Sequence, residues 1–297
     1  MPSRVSLPSS VARVGLIGLM ALFAAACSAP GASPSPSPTP SAAPSPSPAA
    51  AVLLIKISSE GGFIGPTATL SALPTVVVYS DGRIFTPGAV PAIYPGPLVQ
   101  GVSVRNVGPV GARAILDAIR TAALDKPGGG DPGVSADVGT TVFAVVIDGQ
   151  ATTTRFGGMG GGPGRPGGGN PASAAALDLL TRLTDPTETW GSASAGDTAY
   201  VPSAFRIFVV PGGPVADPSA PQATLAWPLN TSLDAFGIPA VPDRGISGLR
   251  TGIVSGADAA ALAPFLRTAT TLTPVTSEGQ TYTLYVRPLL PAEGGGG

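Results

Sequence analysis

The chain is 297 residues long and holds 41 Gly and 35 Pro, about twice the usual share of the two residues that interrupt regular structure. Only 11% of its residues are charged, 43% are apolar and the net charge is −1, which excludes a charge-rich disordered chain, a long coiled coil and a basic nucleic-acid-binding stripe. With no His and a single Cys, imidazole bases, His metal ligands, internal disulfides and thiol pairs are excluded as well.

Residues 1–13 carry Arg4 and Arg13 and no acid, and residues 14–26 (VGLIGLMALFAAA) are an uninterrupted apolar run. As a helix these thirteen residues would span about 20 Å, short of the ~30 Å hydrocarbon core of a bilayer. The pattern predicts a signal peptide over 1–26. The one Cys, Cys27, follows Ala24, Ala25 and Ala26 directly, so the segment resembles a bacterial lipoprotein signal with its lipobox, departing from it in having Ala24 where Leu is usual. The resemblance implies cleavage before Cys27, attachment of diacylglycerol to its thiol and acylation, by palmitate or a similar chain, of the new amino terminus. The other reading is ordinary signal-peptidase cleavage after the Ala run, which would secrete a soluble protein with a spare thiol.

Residues 28–50 hold eight prolines in a Ser/Ala background, a composition that buries no apolar surface and favours extended polyproline-type backbone. At ~3.1 Å per residue this disordered linker would reach up to about 70 Å. It suits a stalk through a cell-wall layer better than an SH3 or WW ligand, because those adaptors are mainly cytoplasmic. No later apolar run is long enough to span a membrane.

The body, residues 51–291, reads mainly as short strands. AVLLIKIS (51–58) is one; TVVVY (75–79) leads through Asp81-Gly82 into RIF, and VFAVVIDGQATTTRF (142–156) repeats the pattern around Asp148-Gly149. Both Asp-Gly pairs predict two-residue type I′ hairpins. GVSVR (101–105) precedes a predicted helix over 109–124, with Ile115, Ile119 and Ala122 on one face, Pro109 in its first turn and Pro127 with three glycines ending it. A second helix is predicted over 172–183, after the Gly-rich stretch 157–170. Strand, Gly-rich loop and helix is the order of a phosphate cradle, but no Lys-Ser/Thr follows and Pro163 and Pro166 remove amide donors, so a flexible surface loop is the better reading.

Further strands are predicted over 199–211, 224–229, 248–256 and 280–290, with a third helix over 257–269. Ser255 and Asp258 have the spacing of a capping box, and Pro264 must kink that helix or mark its first turn. Laying Arg120-Thr121-Ala122 on Arg267-Thr268-Ala269 also aligns Gly101 with Gly248, Ile115 with Leu262 and Ile119 with Leu266. The predicted fold class is therefore α+β: two related units of antiparallel strands and hairpins, each with a helix packed on one face, over 51–190 and 198–291, with 292–297 a disordered tail. The VVVYSDGRIF hairpin, the GVSVR strand leading into a helix and the terminal YTLYVRPLLP strand resemble the bodies of uncharacterised secreted lipoproteins of high-GC bacteria, a resemblance that transfers no catalytic residue.

Chemistry is sparse. Lys56 and Lys126, the only lysines, have no Ser-x-x-Lys partner, and no GxSxG elbow is present. Asp81 and Asp148 are accounted for by turns, Asp258 by a helix start, Asp117 and Asp178 by solvated helix faces. Asp131 and Asp137 lie six apart in a loop without the Asp-x-Asp-x-Asp-Gly calcium pattern. Trp190 and Trp227, beside Gly191 and Pro228, could offer aromatic faces to a sugar or peptide, although core packing is the commoner role. A transporter's solute-binding protein would need two doubly wound domains and more helix. The sequence thus predicts an extracytoplasmic lipoprotein anchored to the membrane through Cys27, a non-enzymatic binding or scaffold protein of the envelope. A cell-wall or envelope protein is a possible partner; no cofactor, metal, catalytic residue or nucleic acid is assigned. The alternative is an extracytoplasmic hydrolase using paired carboxylates.

Overall fold

A computed structural model of the chain describes residues 51–62, 65–128, 130, 139–159, 171–191, 196–240 and 245–293. The predicted signal peptide, Cys27, the Pro-rich linker, most of the Gly-rich stretch, Asp131, Asp137 and the last four glycines lie outside the described residues.

The first half of the body builds a seven-stranded antiparallel sheet. Its strands are β1 (Leu53–Glu60), β2 (Val76–Tyr79), β3 (Arg83–Pro87), β4 (Val102–Asn106), β5 (Thr140–Ile147), β6 (Gln150–Gly157) and β7 (Thr198–Ala199), in the spatial order β6-β5-β1-β2-β3-β4-β7. Two helices, α1 (Gly108–Thr121) and α2 (Pro171–Thr184), cover one face. Ile55, Ile57, Val76, Val78, Phe143 and Val145 meet Ile115 and Ile119 of α1 and Ala176, Leu179 and Leu183 of α2 there. All four residues of β2 are buried, because Val77 and Tyr79 point to the other face, where Phe85 and Val102 flank them in the sheet and Leu290 packs against the cluster. A strand covered on both sides has no polar positions to spare, which is why VVVY shows no alternation.

The second half forms a six-stranded sheet of β8 (Ala204–Pro211), β9 (Leu225–Ala226), β10 (Ile238–Pro239), β11 (Arg250–Ser255), β12 (Val275–Ser277) and β13 (Gln280–Pro288), ordered β10-β11-β8-β13-β12-β9. Only the β9–β12 pair is parallel. Helix α3 (Gly256–Thr268) packs Leu262, Phe265 and Leu266 against Ile207, Val209, Leu284 and Val286. The architecture is α+β, as the strand and helix pattern predicts.

Local chemistry explains where elements turn and end. Asp148 and Gly149 have φ of 51° and 76°, the type I′ geometry expected of that pair. The other Asp-Gly pair differs. Only Gly82 has positive φ (88°), its N–H bonds to Tyr79 O at 3.0 Å, and the Asp81 carboxylate accepts from Arg83 N (3.1 Å) and Nε (2.6 Å). The deviation has a tertiary cause: Val107 N donates to Gly82 O at 2.9 Å, and a Cβ on Gly82 would lie 2.2 Å from Gly108 O, so this turn is shaped to dock under the start of α1.

Helix α1 stops before Pro127. Ala123 takes φ 53°, its N–H bonds to Arg120 O (3.0 Å) and Leu124 N–H bonds to Ile119 O (3.2 Å). This is a Schellman stop with alanine in the position glycine usually fills, held by the burial of Leu124 and Ile119 together. In α3, Ser255 is the N-cap but its hydroxyl makes no capping bond, so the capping box with Asp258 does not form, and Pro264 is carried inside the helix.

Candidate functional site

Both sheets lie in one compact unit. They are joined along a seam where three segments cross between them. The loop after β3 reaches the second sheet through Leu98 N to Ala269 O (3.0 Å), Thr271 N to Gly96 O (2.9 Å) and a Val99–Val286 bridge. The segment between β7 and β8 runs back, with Tyr200 N on Val102 O at 2.8 Å. Finally the stretch after β13 folds over the first sheet: Tyr79 Oη donates to Pro291 O, Tyr200 Oη donates to Leu289 O at 3.2 Å, and Phe85 stands edge-on to both tyrosine rings. Glu293 fastens the end through Arg287 (3.2 Å), Lys56 (3.8 Å) and Leu290 N (3.0 Å). Burial, and secondarily the Glu293 charge, pushes the Tyr79 phenol up to about 12.

This seam leaves a cleft of about 950 Å³. One wall is a face of α3 bearing Gly256, Ala259, Ala260, Ala263 and Arg267, positions that recur on one side of a helix. The other walls are Tyr200–Phe205, Leu289–Ala292, and Pro97 with Val99. Small residues on α3 keep the cleft open, while Leu262 and Phe265 carry that helix's bulk into the core and Leu266, packed in the same core, borders the cleft. Part of the wall backbone is paired internally, with Leu289 N on Ala204 O at 2.9 Å and Tyr200 N on Val102 O at 2.8 Å. Arg267 is the single charged side chain of the lining and forms no ion pair among the described residues.

Of the residues singled out from sequence, Ser255 borders the cleft and both tryptophans lie elsewhere. Trp190 is 1% exposed, under the Arg182 guanidinium at 4.5 Å, and Trp227 is 8% exposed, edge-on to Phe236 and Phe265 with Nε1 donating to Thr231 O at 2.9 Å. Both anchor cores and neither presents a face to the cleft. Three aspartates titrate below the usual carboxylate range: Asp185 through its bonds from Thr187, Asp217 through Ser219 and Tyr94, and Asp234 through Ser232. Hydrogen bonds to the charged form cause this, the opposite of what a general acid requires. Among the described residues no three His, Cys, Asp or Glu side chains are grouped to hold a metal ion, and no helix is long and apolar enough to cross a membrane.

Arg105 is the functional-looking side chain that strand patterning hides. It is 3% exposed in β4, donates to Leu183 O (2.9 Å) and Asp185 O, and so caps the carbonyl end of α2. No protein-family model matches the chain, and neither a curated protein nor a solved structure shows significant similarity to it.

Proposed function

We propose that this chain is an extracytoplasmic lipoprotein of the bacterial envelope, tethered by acylated Cys27 and the Pro-rich stalk, whose body is a non-enzymatic binding module with its site in the seam cleft. The observation that carries the reading is the cleft itself: about 950 Å³, near the upper end of small-ligand pockets, and lined mainly by Ala, Val, Leu and Pro, with Tyr200, Ser203, Ser255 and Arg267 its polar side chains. Such a cavity rewards an apolar ligand and offers no paired carboxylates for hydrolysis. The anchor reading rests on Arg4 and Arg13, the apolar run 14–26 and the position of Cys27.

The test uses the full-length protein and the neutral fluorophore N-phenyl-1-naphthylamine. Saturable enhancement that Ala260→Trp abolishes supports a binding cleft; equal enhancement in the variant refutes it. In cells, Cys27→Ala should move the protein out of the membrane fraction, and its retention there would overturn the anchor.

We further read the two halves as related units. Shifted by the offset that lays Arg120 on Arg267, α1 covers α3, and Ile115, Ile119 and Ala122 are buried as are Leu262, Leu266 and Ala269. The hairpin after the helix is placed differently, with its first strand, β5, beside β1 in one half and its second, β13, beside β8 in the other.

A further inference from the structure

The cleft has one property that a plain apolar cavity lacks. Its lining includes a guanidinium, that of Arg267, and no carboxylate. Arg267 is exposed, lies in the last turn of α3 and forms no ion pair among the described residues. The negative end of the helix dipole is equivalent to about half a charge and is screened by water, so it offsets Arg267 only in part and leaves this end of the cleft positive. From Arg267 the apolar face runs back through Ala263, Ala260 and Ala259 to Gly256, a length of about 16 Å at 1.5 Å per residue.

We infer that the cleft takes a single-chain amphiphile with an anionic head, its chain laid along the small-residue face of α3 and its carboxylate on Arg267. The inference rests on the binding-module reading above and names the ligand class. The charges match in kind: one planar guanidinium can hold one carboxylate by two parallel hydrogen bonds. The match in shape lies in the absence of side chains beyond Cβ at 259, 260 and 263, which leaves room for an extended chain along this face of α3.

The experiment is equilibrium dialysis of the full-length protein with dodecanoate and with dodecanol, each below the concentration at which it self-associates. The wild type should bind dodecanoate at least tenfold more tightly than dodecanol. Arg267→Gln should bring dodecanoate down to the alcohol's affinity and leave dodecanol unchanged, while Ala263→Trp should weaken both at least tenfold. Ala260→Trp blocks the same face and replaces Ala263→Trp should that variant melt early. Equal affinities for acid and alcohol, or an Arg267→Gln variant that binds dodecanoate as the wild type does, overturns the anionic-head assignment and leaves the apolar cleft standing. Binding of neither probe, or binding that both Trp variants leave unchanged, overturns the cleft as a site altogether.

Discussion

Replacing Arg105 tests whether one buried cation ties α2 to the first sheet. Its guanidinium donates to two carbonyls at the end of α2, stands 3.8 Å from Asp197 through Nε, and is 3% exposed. Arg105→Met keeps most of the aliphatic stem and removes both bonds. Hydrogen bonds to a charged group contribute roughly 1.5–3 kcal/mol each, and the buried Leu183 carbonyl left unpaired costs about 1–3 kcal/mol, whereas water can reach that of exposed Asp185. Against this stands the relief of several kcal/mol for desolvating the cation. The expected net loss is about 3 kcal/mol, a fall in Tm of roughly 10 °C for a body of this size at ~2–4 °C per kcal/mol. Arg105→Lys, with a point donor instead of a fork, should lose about half as much. Urea denaturation gives the stability change through the midpoint, provided the slope is unchanged. A Met variant as stable as the wild type, or more stable, would show that desolvation cancels the cap and that α2 is held by Leu179 and Leu183 alone.

Three further outcomes follow from the same geometry. Ala123→Gly should raise stability by about 0.5–1 kcal/mol in urea melts, because it relieves a left-handed alanine at an exposed helix stop; a loss instead would deny the Schellman geometry. Gly149→Ala should cost about 1 kcal/mol from backbone strain alone, since nothing lies within 4 Å, whereas Gly82→Ala should cost roughly 3 kcal/mol by adding a clash with Gly108 O. Equal losses would mean that the β2–β3 turn does not dock on α1. The Tyr79 pKa is raised above its unfolded value, so its stability contribution is complete below pH 10 and is lost as pH climbs from 10 to about 12. Tyr79→Phe should flatten that decline only partly, because burial also raises Tyr200 and Tyr282; an unchanged slope between pH 10 and 12 would refute the burial of the phenol.

Legibility in the sequence followed the range of the interaction. The β5–β6 hairpin was readable because Asp148-Gly149 fixes its own backbone, and the core face of α1 because Ile115 and Ile119 recur at helical spacing. The second two-residue hairpin, Glu278-Gly279 with φ of 49° and 77°, escaped because Glu carries no turn signature and its geometry comes from the β12–β13 pairing. Ala123 and the departure of the Asp81-Gly82 turn from type I′ escaped for a related reason: each is set by a partner distant in sequence or across a helix end.

The cleft shows the limit most clearly. Pro97, Tyr200, Ala263 and Leu290 come from four separate stretches, each an ordinary residue in its own setting, and a cavity is made by what their packing fails to fill. Composition and local pattern by themselves determined the turn-rich α+β class, the Asp148-Gly149 hairpin, the core face of α1, and the charged start, apolar run and Cys27 on which the anchor proposal rests, because those depend on residues close in the chain. Tertiary structure alone decided that both tryptophans are core, that Arg105 caps a helix, and that Arg267 faces an open apolar seam. Those properties belong to the meeting of two sheets, and no single stretch of sequence contains that meeting.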